Sequence, residues 1–349
     1  MTDVLNFTGF IKGITYETFV NYPLKTTSLD NFDVNQASPS GIIKSSTAEV
    51  AYSKWVSPKR TRSYPFARIY NTYNFGKAIT IIPIIKDEGK DGVRDKIAYN
   101  TISWMNLLNV YIVLAYYESA EKSYKKGQQN KHKLTNQKFN NDFVKAQIQE
   151  ILRYRQSALH WNKNLIEERF TDIFTKALDC YDSIAQKTGV SIHPRKKLDE
   201  YRDKIIADFE EFKNLSLKGS LNASRREALT SHVNEHIVKG KKATFCIENY
   251  LGGVYFLTPD EVYPDGSTYI IQESKNTSNS CLPSNSDIQD GLFKLILFSN
   301  LDSLALNGEE TNFISKLKLT GASVNKSITF PENIDNLEFF ISSNNFKKN

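Results

Sequence analysis

The stretch Thr258–Asn276 has the sequence TPDEVYPDGSTYIIQESKN and predicts a β-hairpin. Asp265 and Gly266 stand between two runs of strand-forming residues, and an Asp-Gly pair in that position favours a two-residue turn. Such a turn pairs Pro264 with Ser267 and thereby fixes the register of the two strands. This hairpin is the starting point for predicting the other helices and strands in the C-terminal part of the chain.

In this register the acidic residues divide between the two faces of the hairpin. Asp260 lies opposite Ile271, and side chains alternate between the faces of a strand, so Asp260 shares a face with Ile271, Glu273 and Lys275. Glu261 points to the other face. Asp260 and Glu273 are then diagonal neighbours with backbones roughly 7–8 Å apart, and we expect their carboxylates to reach one shared cation.

Two carboxylates and a lysine in this arrangement are suited to phosphodiester hydrolysis. Carboxylate oxygens are ligands for Mg²⁺, and a metal-bound water becomes a usable nucleophile. The Lys275 ammonium can orient that water or stabilise charge developing on a phosphate. Two alternatives stay open. A bulge at Pro259, which cannot donate a ladder hydrogen bond, shifts the register by one residue, or Glu273 and Lys275 form only a solvent-facing ion pair.

Pro259-Asp260 and, after twelve intervening residues, Glu273-Ser274-Lys275 resemble the signature of the PD-(D/E)xK nucleases. That superfamily includes most type II restriction endonucleases and many repair and defence nucleases. The resemblance implies that Asp260 and Glu273 bind the metal, joined by the backbone carbonyl of Ser274, and that Lys275 assists the attacking water. It also implies a core made of a helix, a three-stranded meander, a second helix and a further strand.

The elements predicted around the hairpin have a similar order, typical of an α/β or α+β domain with a mixed sheet flanked by helices. They are a helix from Ser224 to Val238, strands at Ala243–Tyr250, Val254–Tyr263 and Ser267–Lys275, a helix at Asp287–Phe298 and a strand at Phe313–Leu319.

Glu227 is a further candidate catalytic residue, because members of the superfamily often place another Glu on the first helix. Its alternative role is structural, since Ser224 and Glu227 have the spacing of a capping box. His232 and His236 lie on the same predicted helix, four residues apart. Val233 stands where an HExxH zinc motif requires Glu, so this pair favours an ordinary helix face.

The rest of the chain divides into two regions that differ in composition and in hydrophobic pattern. Together with the C-terminal region they give predicted domains at 1–93, 94–218 and 219–349. The first is rich in β-forming and polar residues, and Pro83 within the apolar run Ala78–Ile85 indicates a strand edge or a bend. The second is helical in pattern. Its predicted helices are a buried one at Ile97–Ala120, amphipathic ones between 140 and 187, and one at Lys196–Lys213.

A basic stretch without acidic residues lies between Glu49 and Asp87, with aromatic residues interleaved. Cations that contact phosphates beside aromatic rings are typical of nucleic-acid binding. The candidate DNA contacts are Lys54, Lys59, Arg60, Arg62 and Arg68. A second basic run at 122–138 has the composition of a loop between helices. For both runs, a merely solvated surface is the alternative.

Composition excludes several other classes. The 349 residues carry a net charge of +6, and the three cysteines are too few and too widely spaced for a disulfide scaffold or a zinc knuckle. The N-terminus lacks the apolar core of a signal peptide, and the run Trp104–Tyr117 is shorter than the roughly 20 residues of a membrane span. We expect a cytoplasmic protein that binds no membrane.

The favoured interpretation is a Mg²⁺-dependent endonuclease for double-stranded DNA, more similar to a type II restriction enzyme than to a housekeeping subunit. Such enzymes usually act as homodimers because palindromic duplex sites are two-fold symmetric. The helices between 140 and 187 form either that interface or an internal bundle. Two alternatives remain: a defence or repair nuclease acting non-specifically on DNA or RNA, and a DNA-binding protein without catalysis.

Overall fold

The structure is a computed structural model that describes residues 4–13, 24–58, 76–125, 131–207, 221, 240–249 and 254–346. The described residues form a mixed α+β protein, as predicted, and the chain divides into two compact units. The smaller unit comprises residues 1–9, 224–245 and 257–349, and the larger unit comprises residues 10–223 and 246–256. The domain division drawn from sequence texture stays a prediction.

The strands of the first two thirds of the chain are β1 (Leu5–Ile11), β2 (Thr26–Ser28), β3 (Ser40–Lys44), β4 (Glu49–Lys54), β5 (Ala78–Pro83), β6 (Ile85–Asp87), β7 (Arg94–Lys96), β8 (Tyr111–Ala115), β9 (Tyr117–Lys122) and β10 (Leu134–Phe139). The helices there are α1 (Tyr99–Leu107), α2 (Asn141–Arg153), α3 (Ala158–Asn164), a π-helical turn (Leu165–Arg169), α4 (Phe170–Thr188) and α5 (Lys196–Ala207). No helix within the described ranges has the length and apolar character needed to cross a membrane.

The larger unit contains a five-stranded sheet in the order β2-β3-β4-β5-β8. Every residue of β5 and β8 is buried, and the two strands are parallel, as is typical of continuous apolar runs in parallel sheets. Because β5 lies between two neighbours, Pro83 does not lie on an edge strand, which was one of the two predicted alternatives. The expected bend is present, because β5 ends at Pro83 and β6 begins after Ile84.

The long helix predicted at Ile97–Ala120 is also wrong. The structure has α1, which ends at Leu107, followed by β8 and β9. Asn109 takes a left-handed φ of 54°, which few residues other than glycine adopt and which ends the helix. The run after it pairs with β5, so the tertiary sheet overrides the local pattern.

The basic run at 122–138 is only partly the predicted loop, because β10 pairs with β9 and includes Lys138. Residues 126–130 lie outside the described ranges. Beyond this hairpin the amphipathic helices predicted between 140 and 187 are confirmed as α2, α3 and α4. Asn140 caps α2 by accepting from the Phe143 N–H, and Gly189, with φ of 65°, ends α4.

The last third of the chain forms β11 (Ala243–Asn249), β12 (Val254–Leu257), β13 (Glu261–Asp265), β14 (Thr268–Thr277), α6 (Asn285–Ser299), β15 (Ser303–Leu306), β16 (Glu309–Glu310), β17 (Asn312–Gly321) and α7 (Ile334–Ser343). The predicted strand Val254–Tyr263 is therefore interrupted by Thr258, Pro259 and Asp260, where proline supplies no N–H for the ladder. The helix and the strand predicted after the hairpin are confirmed as α6 and β17.

Two sheets organise the smaller unit. In one, β11, β1, β15 and β16 lie side by side, and the Phe7 ring stacks on Phe245 with centroids 4.8 Å apart. In the other, the order is β13-β14-β17, with β13 antiparallel and β17 parallel to β14. Helix α6 lies between β14 and β17 in the chain and packs against both strands. Glu273 and Lys275 of the predicted site lie at this contact.

Candidate active site

The hairpin exists, but its turn lies one residue later than predicted. Asp265 pairs with Thr268, so Gly266 and Ser267 form the turn. Gly266 takes a φ of 61°, a conformation that glycine adopts without the steric cost other residues meet. The predicted pairing of Pro264 with Ser267 is therefore wrong.

This correction moves the partner of Asp260 by two residues and leaves the alternation of faces unchanged. The last observed pair is Glu261 with Gln272, so one more pair would set Asp260 opposite Glu273 rather than Ile271. Asp260 is half-buried, and its Oδ2 accepts a 2.7 Å hydrogen bond from the Ser274 backbone N–H. The Asp260 carboxylate is therefore held by the backbone of β14 at Ser274, the residue that follows Glu273.

Glu273 is the most enclosed of the predicted site residues that the structure describes. Only 1% of its side chain is exposed, and the Lys275 Nζ donates to its Oε1 over 2.8 Å. Lys294 Nζ lies 3.0 Å from each of the two carboxylate oxygens. The alternative of a solvent-facing ion pair between Glu273 and Lys275 is therefore wrong, because a buried carboxylate held by two ammonium groups is not a surface pair.

Lys275 joins this carboxylate to a second one. Its Nζ donates over 3.0 Å to Asp290 Oδ2 as well as to Glu273. Burial by itself lowers the pKa of Lys275, but the charges of Glu273 and Asp290 and the hydrogen bonds to both outweigh it and raise the pKa above its ordinary value. Lys275 is therefore an ammonium throughout the neutral pH range.

Asp290 and Lys294 were not predicted as site residues. They are four residues apart on α6, so they lie on one face of the helix. Helix α6 comes close to the sheet at Gly291, where an added Cβ would lie 2.5 Å from Leu317 Cδ1 and 3.5 Å from Lys275 Cγ. A signal for Lys294 was present in the sequence, since a lysine inside the apolar run Leu292–Phe298 requires a buried partner.

The opposite face of the hairpin carries a separate polar group, which confirms the predicted position of Glu261. Glu261 is 2% exposed. Its Oε1 accepts from the Gly240 N–H over 2.5 Å, and its Oε2 accepts from Gln272 Nε2 over 3.0 Å. Gln272 also donates to Ser274 Oγ over 3.3 Å. The implied use of the Ser274 carbonyl as a metal ligand stays a prediction.

Most of the predicted DNA contacts and one predicted catalytic residue lie outside the described residues: Lys59, Arg60, Arg62, Arg68 and Glu227. The same applies to the capping box at Ser224 and to His232 and His236. Lys54 is described, and its Nζ donates to the carbonyls of Val34 and Ala37 over 2.8 and 2.6 Å. Burial lowers the pKa of Lys54, and the nearby charge of Asp33 partly opposes this shift.

The chemistry of the site is compatible with a divalent cation. The carboxylate oxygens of Asp260 and Glu273 are of the type that Mg²⁺ prefers. Within the described ranges, however, no group of three or more His, Cys, Asp and Glu side chains is arranged to hold a metal ion. The ammonium groups of Lys275 and Lys294 neutralise Glu273 in this structure, so a shared cation stays a prediction.

Three comparisons with known proteins give no relative for this chain. No family model matches it, and neither the curated proteins nor the solved structures contain a match.

Proposed function

We propose that the protein is a Mg²⁺-dependent endonuclease that hydrolyses phosphodiester bonds of double-stranded DNA, in the manner of a sequence-specific type II restriction enzyme. One observation carries the proposal. The buried Glu273 and the half-buried Lys275 form a charged pair on β14, and the carboxylate of Asp260 is hydrogen-bonded to the residue between them. These three residues are the ones on which the resemblance to PD-(D/E)xK nucleases depends.

Burial of this group favours a functional over a purely structural role. Removing charges from water costs several kcal/mol per ion, and apolar side chains of similar volume often stabilise a fold as well or better. Charged residues whose pKa values are strongly perturbed by burial and by specific partners are common at functional sites. The raised pKa of Lys275 fits this pattern.

Each residue has a defined part in the proposed reaction. Asp260 and Glu273 would hold Mg²⁺, which when bound supplies a more acidic water and compensates phosphate charge. Lys275 carries a proton and stabilises negative charge that develops on the scissile phosphate. Asp260 is oriented by the Ser274 N–H, so its carboxylate is ordered before substrate binds.

The proposed substrate is duplex DNA because the basic stretch between Glu49 and Asp87 has the composition of a phosphate-binding surface. Two-fold symmetric target sites favour a homodimer as the active form. Both statements belong to the proposal and are tested with it.

The decisive experiment is a cleavage assay on plasmid and defined linear duplexes with Mg²⁺ and with EDTA. The parent protein should cleave only with Mg²⁺, and Glu273→Gln should show no cleavage above background. Glu309→Gln, on an exposed strand of the same unit, is the matched control and should cleave at the parental rate. Discrete fragments indicate a restriction enzyme, and smears indicate a non-specific nuclease. The proposal fails if the parent cleaves no duplex DNA with Mg²⁺, or if Glu273→Gln retains cleavage.

A second candidate is a DNA-binding protein without catalysis. It is favoured by the observation that both carboxylate oxygens of Glu273 already lie within 3.0 Å of an ammonium group. In that case the parent binds duplex DNA, cleaves nothing, and Glu273→Gln leaves DNA affinity unchanged while lowering stability.

A further inference from the structure

Lys294 connects β14, which carries Glu273, to the segment between β12 and β13 that leads into Asp260. Its Nζ lies 3.0 Å from both oxygens of Glu273 on β14 and donates over 3.0 Å to the carbonyl of Thr258. Thr258 precedes Pro259 and Asp260, so Lys294 fixes the backbone that leads into Asp260. Lys294 is 7% exposed, and a long cationic side chain is ordered at such a position only when polar partners compensate its lost hydration.

The charges of the site are nearly balanced by this lysine. The five side chains of the group carry three negative charges, on Asp260, Glu273 and Asp290, and two positive charges, on Lys275 and Lys294. Without Lys294 the same group would carry two net negative charges, which is the charge that a divalent cation neutralises. Lys294 therefore supplies, at Glu273, the compensation that a cation would otherwise supply.

We infer that Lys294 is a positioning residue that substitutes for a divalent cation at Glu273, keeping this carboxylate ordered and buried until the cation binds. This inference deepens the proposed function and rests on it. It distinguishes the two lysines: Lys275, 19% exposed at its side chain, is the one assigned to the phosphate, whereas Lys294 acts through Glu273 and the Thr258 carbonyl.

Removing Lys294 should have two effects that removing a purely structural lysine would not have. First, Lys294 competes with the cation for Glu273, so its removal should tighten cation binding. A unit charge a few ångströms from the cation changes the affinity roughly tenfold or more at the effective dielectric of a protein interior. Second, the stability lost with Lys294 should be recovered when the cation binds, because either positive charge compensates Glu273.

The experiment uses the full chain without DNA and MgCl₂ as the only added ligand. Calorimetric titration gives the Mg²⁺ affinity, and thermal unfolding is recorded in EDTA and in saturating Mg²⁺. The variants are Lys294→Met, Lys294→Gln and Lys294→Arg, with Lys316→Met as the matched control on an exposed position of β17. None of these readouts depends on cleavage.

Lys294→Met should unfold at least roughly 5 °C below the parent in EDTA, since removing one partner of a buried ion pair is strongly destabilising. Saturating Mg²⁺ should restore more than half of that loss, and the Mg²⁺ dissociation constant should fall roughly tenfold. Lys294→Arg, which keeps the charge, should retain the parental Mg²⁺ affinity, and Lys316→Met should match the parent throughout.

Other results overturn the inference in distinguishable ways. If the parent binds Mg²⁺ and Lys294→Met loses the same stability with and without it, Lys294 is structural and the proposed function stands. If neither protein binds Mg²⁺, the inference and the metal-dependent function fail together. Should Lys294→Met fail to fold in EDTA, folding restored by Mg²⁺ supports the inference. If it folds in neither condition, Lys294→Gln and Lys294→Arg decide, and equal Mg²⁺ affinities of these two overturn it.

Discussion

The carboxylate of Asp260 accepts a 2.7 Å hydrogen bond from the backbone N–H of Ser274. Asp260 precedes β13, so its side chain continues the contact between the two strands beyond their last backbone pair, Glu261 with Gln272. One carboxylate oxygen of Asp260 therefore stabilises the fold through this hydrogen bond. The negative charge of Asp260 and this hydrogen bond can be removed separately by mutation.

Asp260→Asn should abolish cleavage and leave the fold nearly unchanged. The Asn side-chain oxygen can still accept from the Ser274 N–H, whereas the charge that would hold Mg²⁺ is lost. Asp260→Ala should also stop cleavage but should lower the free energy of unfolding by about 1–3 kcal/mol through the lost hydrogen bond. Urea denaturation and single-turnover cleavage measure the two effects. Normal cleavage by Asp260→Asn would show that the carboxylate is not a metal ligand.

Lys275→Ala should reduce the cleavage rate with little effect on DNA affinity. Removing one electrostatic stabiliser of a transition state typically costs roughly 10²–10³ in rate, while one phosphate contact among many contributes a small part of binding. Single-turnover cleavage with Mg²⁺ and equilibrium binding of the same duplex measure the two quantities. Lys316→Ala is the control and should cleave as the parent does. A parental cleavage rate for Lys275→Ala would end its catalytic assignment.

The raised pKa of Lys275 predicts how stability depends on pH. The folded state holds this proton more tightly than the unfolded chain, so the stabilisation is fully present below the ordinary lysine pKa of 10.5 and is lost as pH rises above it. Lys275→Met should therefore be less stable than the parent by about 2 kcal/mol at neutral pH. Denaturant unfolding should show a constant difference from pH 7 to about pH 10 and a shrinking one above. A difference that shrinks near neutral pH contradicts the assignment.

Replacing Arg60 and Arg62 together with Ala should weaken DNA binding and its salt dependence. Each lost phosphate contact reduces the slope of log affinity against log salt by about 0.9 on duplex DNA, so the double variant should lose nearly two units. Lys54 is left unchanged because its Nζ makes two hydrogen bonds to backbone carbonyls of the fold. The control is the double variant of Lys196 and Lys197 on α5, both exposed and outside the two basic runs. Unchanged affinity and slope in the Arg60 and Arg62 variant would exclude this surface.

The hairpin shows how far local sequence patterns determine this site. The Asp265-Gly266 pair and the strand-forming runs on both sides were sufficient to predict two antiparallel strands and the opposite-face position of Glu261. They were insufficient for the turn itself. An Asp-Gly pair does not specify whether its glycine is the first or the second central residue, and the hydrogen bonds across the strands set Gly266 first, with a φ of 61°.

The prediction of one long helix at Ile97–Ala120 was wrong for a related reason. An apolar run without breakers is compatible with a buried helix and with a buried strand, because both hide their side chains on all sides. Tyr111 to Ala115 became strand because β5 offers a parallel partner, and that partner lies some thirty residues earlier in the chain. Local propensity carries no information about it.

By itself, the sequence determined the elements around the candidate site, which are the hairpin, the helix α6 that follows it and the strand β17 after α6. It also determined the candidate residues Asp260, Glu273 and Lys275. These follow from period-two and helical patterns, which are properties of neighbouring residues. Only the tertiary structure decided that Glu273 is buried between two lysines and that α6 supplies Asp290 and Lys294. Those contacts join residues 15 to 21 positions apart, and they depend on how closely α6 packs on the sheet at Gly291, a distance that no local pattern encodes.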